Sequence, residues 1–190
     1  MATVYFDTSV WISAASTKDK KRFPRAREQF ELVRTGANTL FVSNWVLLEI
    51  YKVLFDRAMR DSKVRGNPTR KNVEQFVKAN FDNYVKTLLQ MAHVEFQEPS
   101  VELALVLKEA REMTEKIFGD ATRQPDCPVC HGKFDFFEYN GPYQIDFIHA
   151  LIARELKCDK IVTFDTDYSL MQGDRHMGTL SIEVLKGTTA

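Results

Sequence analysis

Cysteine is scarce in this chain, with three residues among 190, an odd number. That is too few for the disulfide framework of a secreted domain and points to a reducing compartment, the cytoplasm. Long apolar runs are missing as well. No stretch approaches the roughly 20 consecutive apolar residues of a membrane span. The opening residues Met1-Ala-Thr-Val-Tyr-Phe-Asp7 lack the basic and apolar regions of a signal peptide. The expectation is a cytoplasmic protein with no membrane association. Charge of one sign is not in excess either. The 26 Lys and Arg balance the 26 Asp and Glu, which excludes a strongly basic nucleic-acid binder while leaving room for a local basic face. Repeats and low-complexity tracts are absent. What is present is ordinary for a globular chain: 44% hydrophobic and 27% charged residues exclude a disordered or fibrous protein. A chain this long buries roughly 70% of its unfolded surface, enough for one domain without disulfides.

Short apolar runs alternate with helical patterns. Val4-Tyr5-Phe6, Leu40-Phe41-Val42, Val94-Glu95-Phe96, Ile161-Val162-Thr163-Phe164 and Leu180 to Val184 read as strands. Between them, helices are expected at 9–15, 24–34, from Ser43 or Asn44 through Leu54, at 73–89, 99–117 and 145–156. Residues 119–143 break the pattern, holding three of the six prolines and three of the eight glycines, and read as an insertion. Strands joined by helices of this length imply crossover connections, a parallel sheet and helices on both faces. Ligands of such sheets gather at the carboxyl ends of the strands.

Two strands end alike, in Phe6-Asp7-Thr8-Ser9 and Phe164-Asp165-Thr166-Asp167. A carboxylate after an apolar strand is costly unless solvated or paired, although each Asp could simply cap the next helix. Glu49 lies at the edge of the stripe formed by Val46, Ile50 and Val53, and Asp146 opens the helix 145–156, where the helix dipole favours its ionised form. Its same-face followers, His149, Ala150 and Ala153, are small or polar, as on a helix turned to a cleft. Four carboxylates converging on one point repel one another unless a cation neutralises them. Oxygen ligands with no converging His or Cys point to Mg²⁺ or Mn²⁺ rather than Zn²⁺. A cation so held is suited to phosphodiester hydrolysis.

The ordered set Phe6-Asp7-Thr8-Ser9-Val10-Trp11-Ile12, Val42-Ser43-Asn44-Trp45 to Glu49-Ile50, Asp146 to Ala153 and Val162 to Tyr168 resembles the PIN-domain nucleases, nearest to VapC-type toxins of toxin–antitoxin pairs. The resemblance implies an α/β/α three-layer sandwich around a central parallel sheet, spanning 1–190 with the insertion at 119–143. It implies an endoribonuclease using one or two Mg²⁺ or Mn²⁺ ions, an RNA substrate, and an antitoxin protein as partner, with a homodimer open. By motif position Asp7, Glu49, Asp146 and Asp165 match the metal-site acids, Asp167 an accessory acid, and Ser9 a polar neighbour. The alternatives are a structure-specific DNA nuclease of the same fold and a non-catalytic nucleic-acid-binding or partner-binding module. The chain is longer than a typical toxin of this kind, and much of the excess is 119–143.

Three further features stand beside this reading. Cys127-Pro128-Val129-Cys130 has the spacing of one zinc knuckle, half a site that Cys158 and His131 or a second subunit could complete, or else is an unmetallated loop. Lys18 to Arg27 holds six positive charges, among them Lys20, Lys21 and Arg22, against Asp19, and residues 57–71 hold six more from Arg57 to Lys71. These could line a phosphate track or form plain solvated surface. Phe134, Phe136, Phe137 and Tyr139 could stack on bases or cover a small core of their own.

Overall fold

The computed structural model describes residues 1–16, 18–64, 70–118 and 142–188. Five strands form one all-parallel sheet: β1 (Ala2–Phe6), β2 (Asn38–Val42), β3 (Val94–Phe96), β4 (Lys160–Thr163) and β5 (Ser181–Val184), in the order β3-β2-β1-β4-β5. The helices are α1 (Thr8–Ala15), α2 (Phe23–Arg34), α3 (Asn44–Val64), α4 (Arg70–Leu89), α5 (Leu103–Phe118) and α6 (Pro142–Glu155), covering both faces in the three-layer α/β/α arrangement. Val4, Tyr5, Leu40, Val42, Ile161 and Val162 are wholly buried, so the central strands need no alternation of apolar and polar residues. The chain winds from β1 outward to β3, then returns across the sheet to β4 beside β1. Strand order therefore reverses between β1 and β4, and the crevice of a parallel sheet opens at such a reversal.

Local chemistry explains the elements that frame this crevice. Ser43 is buried and its Oγ accepts from the Val46 amide at 3.4 Å, satisfying one free donor of the first turn of α3. Val46 and Ile50 on the same face are buried. Trp11 of α1 packs edge-on against Phe6 and Phe30, with ring centroids 6.2 and 4.8 Å away, and its Nε1 donates to the Phe6 carbonyl at 3.1 Å. That contact fixes α1, and with it Thr8 and Ser9, to the end of β1. A separate small cluster, Ala58, Val73 and Val77, holds α3 against α4.

Several boundaries differ from the sequence reading: α3 runs on to Val64 rather than ending at Leu54, and α4 starts at Arg70 rather than 73. Helix α5 starts at Leu103 rather than 99, its first turn organised at Glu102, whose carbonyl accepts from Leu105 and Val106. Helix α6 starts at Pro142 rather than 145; proline is favoured at a first helical position. Asp146 consequently sits in the second turn and does not open the helix. The rest of the expected insertion, with Cys127, Cys130, His131 and the Phe134–Tyr139 aromatics, lies outside the described residues.

Candidate active site

A cleft of about 620 Å³ opens at the carboxyl ends of β1 and β4, lined by Asp7, Glu49, Asp146 and Asp165 together. Each acid comes from a different element. Asp7 follows β1, Glu49 projects from the second turn of α3, Asp146 from α6, and Asp165 follows β4. Asp7 occupies the N-cap position of α1 yet makes no side-chain capping bond. Its Oδ2 instead accepts from the Ser9 and Thr163 hydroxyls, each at 2.7 Å. Ser9 in turn accepts from the Phe164 amide at 3.0 Å, which ties the two strand ends together. Asp165 does cap the 3₁₀ turn Thr166–Met171, its Oδ1 accepting from the Asp167 amide at 2.9 Å.

Glu49 Oε2 accepts from the Thr8 hydroxyl and faces His149 Nε2 at 2.5 Å. Burial pushes the Glu49 carboxyl up, but the hydrogen bond and charge of His149 outweigh it, and the group lies below the usual carboxylate range. For His149 burial alone would lower the pKa; the Glu49 hydrogen bond and charge outweigh that and raise it. Asp146 is the opposite case. Burial, then the charges of Asp7, Asp165, Glu49 and Asp167, push its carboxyl up to about 9. The expectation that the helix dipole favours ionised Asp146 is thereby reversed: burial, then the four neighbouring carboxylates, dominate at a second-turn position where the dipole is weak. Its Oδ2 is buried with no hydrogen-bond partner among the described residues, and the Tyr168 hydroxyl is buried in the same condition.

The donor set fits a divalent cation. Asp7, Glu49 and Asp165 each commit one oxygen to protein hydrogen bonds and leave the other without one among the described residues, while the orphaned Asp146 oxygen lacks the partner that a buried polar atom requires. Atoms of Asp7, Glu49 and His149 able to ligate a metal lie within 4.8 Å of one another.

His149 stands among the acids although the sequence reading assigns it no site role, and the premise that no His converges on them is overturned. Its signal was present: His149 is three residues beyond Asp146, on the same helix face. The case for Mg²⁺ or Mn²⁺ over Zn²⁺ consequently rests on the four carboxylates alone. Asp167 is half-buried and lies outside the cleft lining, its pKa raised by burial and by Asp165. Ser9 stands in the lining. Of the basic residues, Lys18, Arg22 and Arg57 line the cleft, whereas Lys20 and Lys21 do not. Asp19 organises the turn leading into α2, its carbonyl accepting from Phe23 and its Oδ1 from the Arg22 amide. Arg57 follows Glu49 and Val53 at four-residue steps along α3. Cys158 does not suit a zinc site: it is buried in the core and its thiol is pushed up to about 12 by burial and Asp159, which disfavours the thiolate that zinc requires.

A similar fold is found in the structure of VapBC2 from Rickettsia felis bound to a DNA fragment from their promoter, at a TM-score of 0.52 and 15% identity, with 97% of this chain and 99% of that chain covered. No curated protein matches the sequence. The family profile described as PIN domain matches residues 4–173, a span that holds all four cleft acids and the whole sheet-reversal crevice up to the turn after β4. On that match the chain belongs to the PIN domain family.

Proposed function

We propose that the chain is a metal-dependent endoribonuclease whose cleavage site is the cleft of Asp7, Glu49, Asp146 and Asp165. The observation that carries this reading is the buried, unpartnered Asp146 oxygen facing three further carboxylates at the sheet reversal. The four acids would hold one or two Mg²⁺ or Mn²⁺ ions, with Asp167 as an accessory acid acting through its charge. A bound cation supplies Lewis-acid polarisation of the phosphodiester and activation of water. The chain's own part is to position the acids: Ser9 and Thr163 orient Asp7, and Thr8 orients Glu49. No side chain of the cleft is a nucleophile in this scheme.

The rim recognises phosphate. Lys18, Arg22 and Arg57 form no ion pair with a carboxylate among the described residues, and they stand in the same cleft as the acids. Cations held by no carboxylate, Arg22 resting over the Phe164 ring at 5.5 Å, stand beside an acidic floor and let a polyanion approach the cation site without facing uncompensated carboxylates. Arg22→Ala and Arg57→Ala are each expected to raise KM several-fold with kcat nearly unchanged. Each should flatten the salt dependence of RNA binding by about 0.7 in logarithmic slope. Lys20→Ala with Lys21→Ala, outside the lining, should change neither. Binding measured across a salt series checks this, and an effect confined to Lys20 and Lys21 would contradict it.

The role of toxin in a toxin–antitoxin pair is supported by the likeness to the VapBC2 structure and by an open, largely apolar groove of about 750 Å³ between α1, α2 and α4, with Trp11, Phe30, Tyr84 and Met91 in its walls. Such a groove suits a partner helix. In the segment outside the described residues, Cys127 and Cys130 carry a structural zinc in this proposal. Elemental analysis of untagged protein should find at least about half an atom per chain, the minimum for a site shared by two copies, and less removes the zinc.

The deciding experiment offers end-labelled single-stranded RNA, tRNA, single-stranded DNA and flap DNA with Mn²⁺, Mg²⁺ or EDTA. Metal-dependent cutting of RNA is expected. Cutting of flap DNA alone would transfer the site to a DNA nuclease, and metal-insensitive binding without cutting to a non-catalytic module.

A further inference from the structure

Beneath the acids runs a buried chain of hydrogen bonds that the cleft itself does not account for. Ser43 Oγ and the Tyr5 hydroxyl are 3.0 Å apart, the Tyr5 hydroxyl and His149 Nδ1 3.0 Å apart, and His149 Nε2 and Glu49 Oε2 2.5 Å apart. Tyr5, Ser43 and His149 are all fully buried. Both ring nitrogens of His149 are engaged, so neither is free to ligate a cation. The chain also joins the elements that carry three of the acids. Tyr5 lies in β1, two residues before Asp7; Ser43 sits at the start of α3, six residues before Glu49; and His149 lies on α6, three residues after Asp146. Within a close-packed interior such a network has one arrangement, because any rotation strands a buried polar atom.

We infer that His149 is a positioning residue, held by Tyr5 and Ser43, that fixes the Glu49 carboxylate in the orientation the cation site needs. The inference rests on the proposed metal site. It assigns His149 to the layer behind the ligands, where partners of ligating groups typically control metal affinity by 10–100-fold. Its proximity to Asp7 and Glu49 would otherwise make it a ligand.

Two variants separate these roles. His149→Phe keeps a ring but no hydrogen bond, while His149→Gln can place an amide N–H near the position of Nε2. Mn²⁺ binding by calorimetry should weaken 10–100-fold in His149→Phe and stay within about threefold of wild type in His149→Gln. Equal loss in both variants, or ¹⁴N modulation of the electron spin echo from Mn²⁺ bound to wild type, would make His149 a ligand and overturn the inference. Unchanged affinity in a folded His149→Phe would overturn it as well. A metal-free readout keeps the test independent of the function proposed above. Wild type should show a downfield, exchange-protected imidazole N–H proton resonance that Glu49→Gln shifts or removes. Absence of that resonance refutes the His149–Glu49 tie whatever the metal does. Its presence in a protein that binds no Mn²⁺ supports the tie and refutes the metal reading alone.

Discussion

Asp146→Asn is expected to lose cleavage by about 10³-fold or more, the several kcal/mol of transition-state stabilisation that a correctly held cation provides. The same substitution should make the metal-free protein more stable. In the folded chain the Asp146 carboxyl is raised from its ordinary 3.8 to about 9, first by burial and then by Asp7 and Asp165. Below pH 4 the group is neutral in folded and unfolded chains and costs nothing. Between pH 4 and 9 the unfolded chain releases the proton while the folded chain keeps it, so stability falls as pH rises through that window and levels off above it. At pH 7 the loss approaches about 4 kcal/mol at 1.36 kcal/mol per unit, and relaxation of the cleft returns a part of it. Asp146→Asn should therefore gain about 2–4 kcal/mol in metal-free buffer at pH 7 and nothing near pH 4. Denaturant unfolding with EDTA at the two pH values measures both figures. A variant that is inactive because it is unfolded, or one equally stabilised at both pH values, would contradict the placement of this carboxyl.

Trp11→Ala has the largest expected effect on the fold. The indole is buried, packs edge-on against Phe6 and Phe30, and supplies the donor for the Phe6 carbonyl. Removing it leaves a cavity where α1 meets the end of β1, at a cost of about 3–5 kcal/mol. In a chain of this length that lowers the melting temperature by about 10 °C. Trp11→Phe should cost less, roughly 1–2 kcal/mol, because a ring remains and only the hydrogen bond and part of the volume are lost. Thermal unfolding followed by circular dichroism checks the pair. A loss below 1 kcal/mol in Trp11→Ala would mean that α1, and the Thr8 and Ser9 it carries, is anchored elsewhere.

Much of this arrangement was legible in the amino-acid order because the central strands are buried on both faces. Val4-Tyr5-Phe6 and Ile161-Val162-Thr163 are continuous apolar or β-branched runs, and an aspartate at the end of each is conspicuous against them. The stripe Val46, Ile50 and Val53 likewise placed Glu49 at the border between core and cleft. The order β3-β2-β1-β4-β5 is a different matter. No local pattern records which strands pair, since that depends on how crossovers pack across the sheet. The start of α6 differs because the proline-rich and glycine-rich segment 119–143 reads as a break, while Pro142 is the first helical residue. The role of His149 is not legible in the sequence: a lone histidine on an apolar helix gives no hint of its partners, and Tyr5 and Glu49 reach it only through the fold. The basic residues show the same limit. A run of positive charge from Lys18 to Arg27 marks a region, but only the fold brings Lys18 and Arg22 into the cleft lining and leaves Lys20 and Lys21 outside it.

Calorimetric titration of Mn²⁺ into metal-free protein at pH 7, repeated in buffers of different ionisation enthalpy, tests most directly whether the four acids hold a cation. Saturable binding is predicted, with release of about one proton per cation as the carboxyl of Asp146 ionises against the metal. Asp7→Asn should weaken binding and reduce the proton release, because the Asp7 charge helps to raise the Asp146 carboxyl, whereas Asp146→Asn should weaken binding and abolish the release. No binding up to millimolar Mn²⁺, or binding that neither substitution alters, would contradict the assignment.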